Sequence, residues 1–225
     1  MGQRTVRVDL HCHTHRSHDS ATSYKALVGA CRRRGIDVIA ITDHNRIEGA
    51  LEFRDTADQR CIVGEEVSTT EGEIIGLFLK EFIPPRRSPE ETIAEIKRQG
   101  GVVYVPHPCD RVRRSVITPA ALQRVAPLVD AVEVLNARLH SASQNADALR
   151  FAQERGLLQG AGSDAHIPFE VGRAGVEMPD FDDAESFKRA LASSRVFGKP
   201  SIPLVHLASS FHKYRKRYLP GWTRL

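Results

Sequence analysis

The stretch Val6-Arg7-Val8-Asp9-Leu10-His11-Cys12-His13 decides the fold, because it is a short apolar run that ends in two histidines. Other short apolar runs also lead into polar side chains: Val38–Ile41 into Asp43-His44, 61–63 into Glu65-Glu66, Val102–Val105 into His107, 131–135 into Asn136, and 157–161 into Asp164 and His166. In a parallel sheet or barrel the carboxyl ends of the strands lie on one face, so these side chains are expected to converge. Converging imidazoles and carboxylates suit divalent metals, so the sequence predicts a metal site.

The composition is typical of a soluble globular protein. The chain has 225 residues, of which 27% are charged and 41% hydrophobic, and this length allows a single full core. It contains no apolar stretch long enough for a membrane-spanning helix and no signal-peptide core, so we expect a cytoplasmic protein that does not bind membranes. The net charge of +4 favours an anionic substrate or partner. Four irregularly spaced cysteines without a C-x-x-C pair indicate free thiols, and Cys12 is expected to pack in the core.

Strands alternate with helices along the chain. Capping residues predict helices from Thr22-Ser23 to Arg34, from Ser88 to Gln99, from Thr118-Pro119 to Val125, from Ser143 to Arg155 and from Asp182 to about Ser193. An additional run over 73–79 is expected to pair with the strand that carries Glu66. About seven strand–helix units in so short a chain predict an α/β fold with a compact, distorted barrel. We expect one domain over 1–225, with an amphipathic basic helix over about 204–219 as a C-terminal appendage.

Five sequence words, in this order, resemble those of the polymerase-and-histidinol-phosphatase (PHP) family. They are Asp9-Leu10-His11-Cys12-His13-Thr14, Thr42-Asp43-His44, Gly64-Glu65-Glu66, Pro106-His107-Pro108 and Gly162-Ser163-Asp164-Ala165-His166. The resemblance spans residues 9 to 166. It implies a distorted (β/α)7 TIM-like barrel of the PHP type and a metal-dependent phosphoesterase activity.

The candidate metal ligands follow from spacing and from the resemblance. His11 and His13 stand two residues apart, as do Asp164 and His166, so each pair faces one side of a strand. The resemblance selects His44 and makes Glu66 a bridging carboxylate; it also places a ligand at Asp19 or His18, of which Asp19 is preferred. For the position after the strand of Glu133 it leaves His140 or Asn136 open. The candidate ligands are thus His11, His13, Asp19, His44, Glu66, His107, His140, Asp164 and His166. Asp43 is expected to orient an imidazole.

These ligands exceed the four positions around one zinc, so two or three divalent metals, Zn²⁺, Mn²⁺ or Fe²⁺, are expected. Such metals lower the pKa of a bridging water, and the resulting hydroxide can attack a phosphate ester. The candidate catalytic residues are Asp164, His166, His18 and His140, of which His18 or His140, whichever is not a ligand, can donate a proton to the leaving group. For substrate binding the candidates are Asn136 and, as a phosphate clamp, Arg111 or Arg114.

Three functions compete. The first is hydrolysis of a small phosphomonoester, such as histidinol phosphate or a nucleotide. The second keeps this chemistry but acts on nucleic-acid 5′ ends, which the basic segment 213–217 and Tyr214, Tyr218 and Trp222 would grip. The third is a PHP module that binds without catalysis, and the retained ligands argue against it. The oligomeric state and the leaving group are not readable from the sequence.

Overall fold

A strongly curved sheet of nine strands forms the centre of the computed structural model, which describes residues 4–139, 141–199 and 214. The strand order is β7-β6-β5-β4-β3-β2-β1-β8-β9. In chain order the strands are β1 Thr5–Cys12, β2 Val38–Ile41, β3 Arg60–Thr69, β4 Gly72–Leu77, β5 Val102–Val105, β6 Ala131–Asn136, β7 Leu158–Gly162, β8 Ala174–Pro179 and β9 Arg195–Gly198. The described residues therefore form the α/β barrel that the sequence predicts.

The sheet is mixed rather than all parallel. Strands β1, β2 and β3 run parallel, as do β5, β6 and β7. Strand β4 lies antiparallel between β3 and β5 and places Ile75 opposite Glu66, which confirms the expected pairing of this run. Strands β8 and β9 extend the other side of the sheet as an antiparallel pair next to β1. The described sheet thus differs from seven regular strand–helix units because three strands join it through antiparallel pairing.

Six α-helices accompany the described strands: α1 Tyr24–Arg34, α2 Glu48–Thr56, α3 Pro89–Arg98, α4 Pro119–Val125, α5 Ala142–Arg155 and α6 Ala184–Ala192. Four begin at caps that the sequence indicates, since the side chains of Ser23, Ser88, Thr118 and Asp183 accept hydrogen bonds from the first helical turn. Helix α5 begins one residue before its predicted start, after Ser141. The predicted helix over about 204–219 lies outside the described residues, apart from Tyr214. No helix in the described ranges is long and apolar enough to span a membrane.

The barrel closes at the carboxyl end of β1. The backbone N–H of Asp164, just after β7, donates to the carbonyl of His11 at 2.8 Å, and that of His13 donates to Ala165 at 2.9 Å. Gly162 permits this approach, because a Cβ atom at that position would lie 2.4 Å from the Cβ of His11. The histidine-rich end of β1 and the segment Asp164–His166 are therefore held side by side.

Apolar side chains fill both sides of the sheet. Val8, Ala40 and Tyr104 belong to the cluster inside the barrel, whereas Ile39 and Val103 pack between the sheet and the helices. This alternation is the period of two expected for strands. A shift in the β1–β2 register between Asp9 and Cys12 lets both Leu10 and His11 face inward, while Cys12 packs in the outer cluster, as predicted.

Candidate metal centre

All eight of the predicted ligands in the described residues lie in one buried cluster at the carboxyl ends of the strands. They form overlapping groups whose potential ligand atoms lie within 4.8 Å of one another: His13 with Asp19, His44 and His166; His11 with Glu66 and His107; and His11 with His13 and Asp164. The ninth candidate, His140, lies outside the described residues. The convergence predicted from the strand ends is therefore present.

Glu66 lies between these groups. Its Oε2 is 3.3 Å from Nε2 of His11, 3.4 Å from Nε2 of His13 and 3.2 Å from Nδ1 of His44. Its Oε1 is 3.2 Å from Nε2 of His107. A carboxylate that faces four imidazoles with its two oxygens has the arrangement of a bridging ligand.

Asp19 completes the group nearest the protein surface. Its Oδ2 lies 3.0 Å from Nε2 of His166 and 3.4 Å from Nε2 of His44. His18 is half exposed at the rim, with its Nε2 3.9 Å from the same carboxylate oxygen. Between these two neighbours, Asp19 has the better position to bind a metal, and His18 stands at the mouth of the site.

Asp164 divides its two oxygens between the imidazoles and two polar side chains. Oδ1 lies 3.5 Å from Nε2 of His13 and 3.7 Å from Nε2 of His11. Oδ2 accepts from Nδ2 of Asn136 at 3.2 Å and lies 2.5 Å from Nη1 of Arg113. The positive φ of Asp164, 53°, is unusual for a residue other than glycine, and such strain is concentrated at functional sites.

The charges of the cluster fit divalent cations. Burial alone would raise the pKa of Glu66, but the charges of His44 and His11 hold it well below its usual range. Burial would lower the pKa of His44, yet Glu66 and Asp19 raise it to about 10. The buried carboxylates are thus stabilised by positive charge around them, a role that bound divalent cations can take. The donors are imidazole and carboxylate without thiolate, which suits Zn²⁺, Mn²⁺ or Fe²⁺.

Two carboxylates of the site were not predicted from the sequence. Glu73 on β4 is buried, with its Oε1 3.5 Å from Nδ1 of His44, and it forms a further potential metal group with His44 and Glu66. Glu133 on β6 lies with Oε1 3.2 Å from Nδ1 of His11, and its Oε2 accepts from the backbone N–H of His107 at 2.8 Å. Both occupy inward positions of their strands, which is the signal that could have identified them.

The arginine that contacts the cluster is Arg113, which lies next to the two predicted arginines. The guanidinium of Arg111 pairs with Asp147 at the surface, and Arg114 is exposed with no contact to the cluster in the described part of the chain. Arg113, between them, reaches Asp164. The role of Arg111 or Arg114 as a phosphate clamp stays a prediction. The loop after β5 has no regular period from which its inward residue could be inferred.

Asn136 and Asp43 both contact other groups of the site. Asn136 is fully buried and donates its amide to Glu133 and Asp164, so it holds these carboxylates, and its role in substrate binding stays a prediction. Asp43 was expected to orient an imidazole, but it accepts from the backbone N–H and the hydroxyl of Thr14, both at 2.6 Å. It therefore fixes the turn after β1.

His166 is held from behind by a second ion pair. Glu170 accepts from its backbone N–H at 2.9 Å and lies 3.1 Å from Nε of the buried Arg138. Nη1 of Arg138 lies 2.6 Å from Nδ1 of His166. This arrangement fixes the ring whose Nε2 faces Asp19.

The fold and this cluster define an α/β-barrel protein with a candidate metal centre. Residues 9–112 match the sequence model of the PHP domain, and residues 142–196 match that of the PHP-associated region. An uncharacterized protein of Methanocaldococcus jannaschii is 42% identical over 146 residues, which cover 59% of this chain and 82% of the relative. The chain belongs to the PHP family.

Two further comparisons agree with this assignment. A protein of Shewanella frigidimarina named "probable phosphatase" is 25% identical over 197 residues, which cover 73% of this chain and 79% of that protein. A two-domain protein of Bacteroides vulgatus, described as containing a predicted PHP-like metal-dependent phosphoesterase, superposes with a TM-score of 0.70 at 18% identity. The superposition covers 88% of this chain and 66% of that longer one, and it supports the barrel fold.

Proposed function

We propose that this protein is a metal-dependent phosphoesterase that hydrolyses a phosphomonoester of a small molecule, such as a nucleotide or a histidinol-phosphate-like compound. The observation that carries the proposal is the buried cluster of five imidazoles around three carboxylates, formed by His11, His13, His44, His107, His166, Asp19, Glu66 and Asp164. The family and the Shewanella frigidimarina relative named as a phosphatase support the same reaction class.

Two or three divalent metals would be held by the overlapping groups of this cluster. His13, Asp19, His44 and His166 would form one set, and His11, Glu66 and His107 another, with Asp164 beside both His11 and His13. Glu73 would add a ligand near His44 and Glu66. When bound, such metals supply an activated water for attack on phosphorus and positive charge for the phosphate oxygens.

The other residues of the site orient these groups and handle protons. Burial and the charge of His166 lower the pKa of His13 well below its usual range. Glu133 and Asn136 fix His11 and Asp164 from behind. His18, half exposed beside Asp19, would give a proton to the leaving oxygen. His140, outside the described residues, stays the alternative donor or an additional ligand.

The other two functions keep less support. The nucleic-acid alternative rests on a basic segment that, apart from Tyr214, lies outside the described residues, so it stays a prediction from the sequence. A module that only binds would not need to keep five imidazoles and three carboxylates around one point, since degenerate sites lose such groups without cost to the fold.

The proposal is tested by phosphate release from a panel of substrates. The metal-depleted chain is reconstituted with Zn²⁺, Mn²⁺ or Fe²⁺ and assayed with histidinol phosphate, nucleoside monophosphates and bisphosphates, and short 5′-phosphorylated oligonucleotides. Turnover of a small monoester by the wild type, and none by His11→Ala, would support the proposal. Turnover of oligonucleotides alone would favour the nucleic-acid alternative. If the reconstituted chain hydrolyses none of the substrates, the proposed phosphoesterase activity is contradicted.

A further inference from the structure

Arg113 lies beside the metal centre on a rigid support. It belongs to the loop between β5 and α4, and its Nε is 3.1 Å from Oδ2 of the nearly fully buried Asp110. The other oxygen of Asp110 accepts from the backbone N–H of Val112 at 2.7 Å, and the backbone N–H of Asp110 donates to His107 at 3.1 Å. The guanidinium is therefore fixed to the same turn that carries a predicted metal ligand.

One nitrogen of this guanidinium has no hydrogen-bond partner within the described residues. Nε is used by Asp110 and Nη1 by Asp164, but Nη2 is buried and has no hydrogen-bond partner in the described ranges. A buried charged donor left without an acceptor costs free energy, so Nη2 is suited to an acceptor oxygen of a bound ligand. The contact of Nη1 with Oδ2 of Asp164 at 2.5 Å places the guanidinium at the edge of the cluster.

The two carboxylate oxygens of Asp164 face different partners, so Arg113 can keep its ion pair when the cluster holds cations. Oδ1 of Asp164 faces the rings of His11 and His13, and only Oδ2 faces Arg113. A ligand role for Oδ1 is thus compatible with the ion pair through Oδ2. Nη2 then remains without a protein partner in the described residues.

We propose that Arg113 binds the phosphoryl group of the substrate through Nη2 and makes the site prefer phosphomonoesters to phosphodiesters. This inference rests on the proposed function. A monoester dianion has three terminal oxygens and two negative charges, whereas a diester has two such oxygens and one charge. A fixed guanidinium supplies an additional charged donor, and arginine is well suited to phosphate because its donors form a planar fork. Its contribution is therefore larger for the monoester.

The test compares Arg113→Gln and Arg113→Lys with Arg32→Gln. Arg32 lies on α1 and pairs with Asp58 at the surface, so its replacement removes the same charge away from the site. The metal-loaded proteins are titrated calorimetrically with inorganic phosphate and with dimethyl phosphate, and metal content is measured in parallel. Hydrolysis of p-nitrophenyl phosphate and its bis-ester gives a second readout.

Arg113→Gln is expected to keep its metals and to weaken phosphate binding by about 10- to 100-fold, the range for a hydrogen bond to a charged group. Dimethyl phosphate binding should change by less than about threefold, and kcat/KM should fall selectively for the monoester. Arg113→Lys should recover part of the loss, and Arg32→Gln should match the wild type.

Three results would overturn the inference: unchanged phosphate binding in Arg113→Gln, an equal loss for both phosphates, or loss of metal from both Arg113 variants. The last result would make Arg113 a positioning group for Asp164. Failure of the proposed function gives a different result. If the wild type hydrolyses no substrate but its phosphate binding still depends on Arg113, the proposed hydrolase activity is contradicted and the binding inference is retained.

Discussion

Nδ1 of His11 lies 3.2 Å from Oε1 of Glu133, while Nε2 of the same ring faces Oε2 of Glu66 at 3.3 Å. The second oxygen of Glu133 accepts from the backbone N–H of His107. One buried carboxylate thus orients one predicted ligand through its ring and another through its backbone. Such carboxylate–imidazole contacts fix the tautomer of a metal-binding histidine.

Glu133→Gln should weaken metal binding by about 10- to 100-fold without unfolding the chain. An amide keeps the size of the side chain but has only one acceptor oxygen for the three donors that face Glu133, from His11, His107 and Asn136, and its NH₂ group would oppose at least one of them. Competition with a chelator measures the affinity, and Glu154→Gln, at an exposed position of α5, is the matched control. Equal affinities in all three proteins would show that Glu133 has no part in orienting the ligands.

Asp164→Asn and His11→Ala should each lower hydrolysis by more than about 100-fold, because both remove an atom that faces the shared centre of the cluster. Circular dichroism should show the secondary structure of the wild type. Substantial turnover by either folded variant would remove that residue from the site.

Glu73→Gln should reduce the number of metals held per chain or the affinity for the weakest one. Glu73 faces His44 and Glu66, and its replacement removes a negative charge from that group. Metal titration followed by elemental analysis measures both quantities. Glu71→Gln makes the same change two residues away, where the side chain pairs with Arg124 at the surface, and it should behave as the wild type. An unaltered titration of Glu73→Gln would exclude Glu73 from the centre.

Gly162→Ala should destabilise the protein by roughly 1–3 kcal/mol, because the added methyl group overpacks the contact between β7 and β1. Its Cβ would lie 2.4 Å from the Cβ of His11 and 2.7 Å from Oε1 of Glu133. Chemical denaturation measures the free energy of unfolding.

Gly29→Ala is the control for this prediction. Gly29 lies within α1, where a Cβ would meet only the flexible end of Arg33, so alanine should stabilise the helix by up to about 1 kcal/mol. A Gly162→Ala protein as stable as the wild type would contradict the tight closure of the barrel.

Local signals in the sequence predicted much of the fold. Ser88-Pro89 with Glu91 identifies the start of α3 because each cap interaction involves residues three positions apart. Helix α2 was not predicted, since the residue that precedes its start at Glu48 is Ile47, which provides no side-chain cap. The antiparallel additions β8 and β9 were not predicted either, because their partners are fixed by tertiary pairing and not by the nearby sequence.

The residues of the candidate site also include some that local sequence signals predict and some that they do not. His11 and His13 could be placed on one side of a strand from their spacing alone. Arg113 could not be chosen over Arg111 and Arg114, because the direction of a loop side chain depends on contacts such as that of Asp110 with Val112. The alternation along β4 and β6 indicates that Glu73 and Glu133 face inward, but which imidazoles they approach depends on strand pairing across the barrel.

Elemental analysis of the purified chain, combined with phosphate release from a small monoester, tests the central proposal most directly. We expect two or three divalent metals per chain in the wild type, fewer in Asp164→Asn, and hydrolysis that is lost with a chelator and restored by metal. A folded wild-type chain that binds no metal at saturating Zn²⁺, Mn²⁺ or Fe²⁺ and releases no phosphate would contradict it.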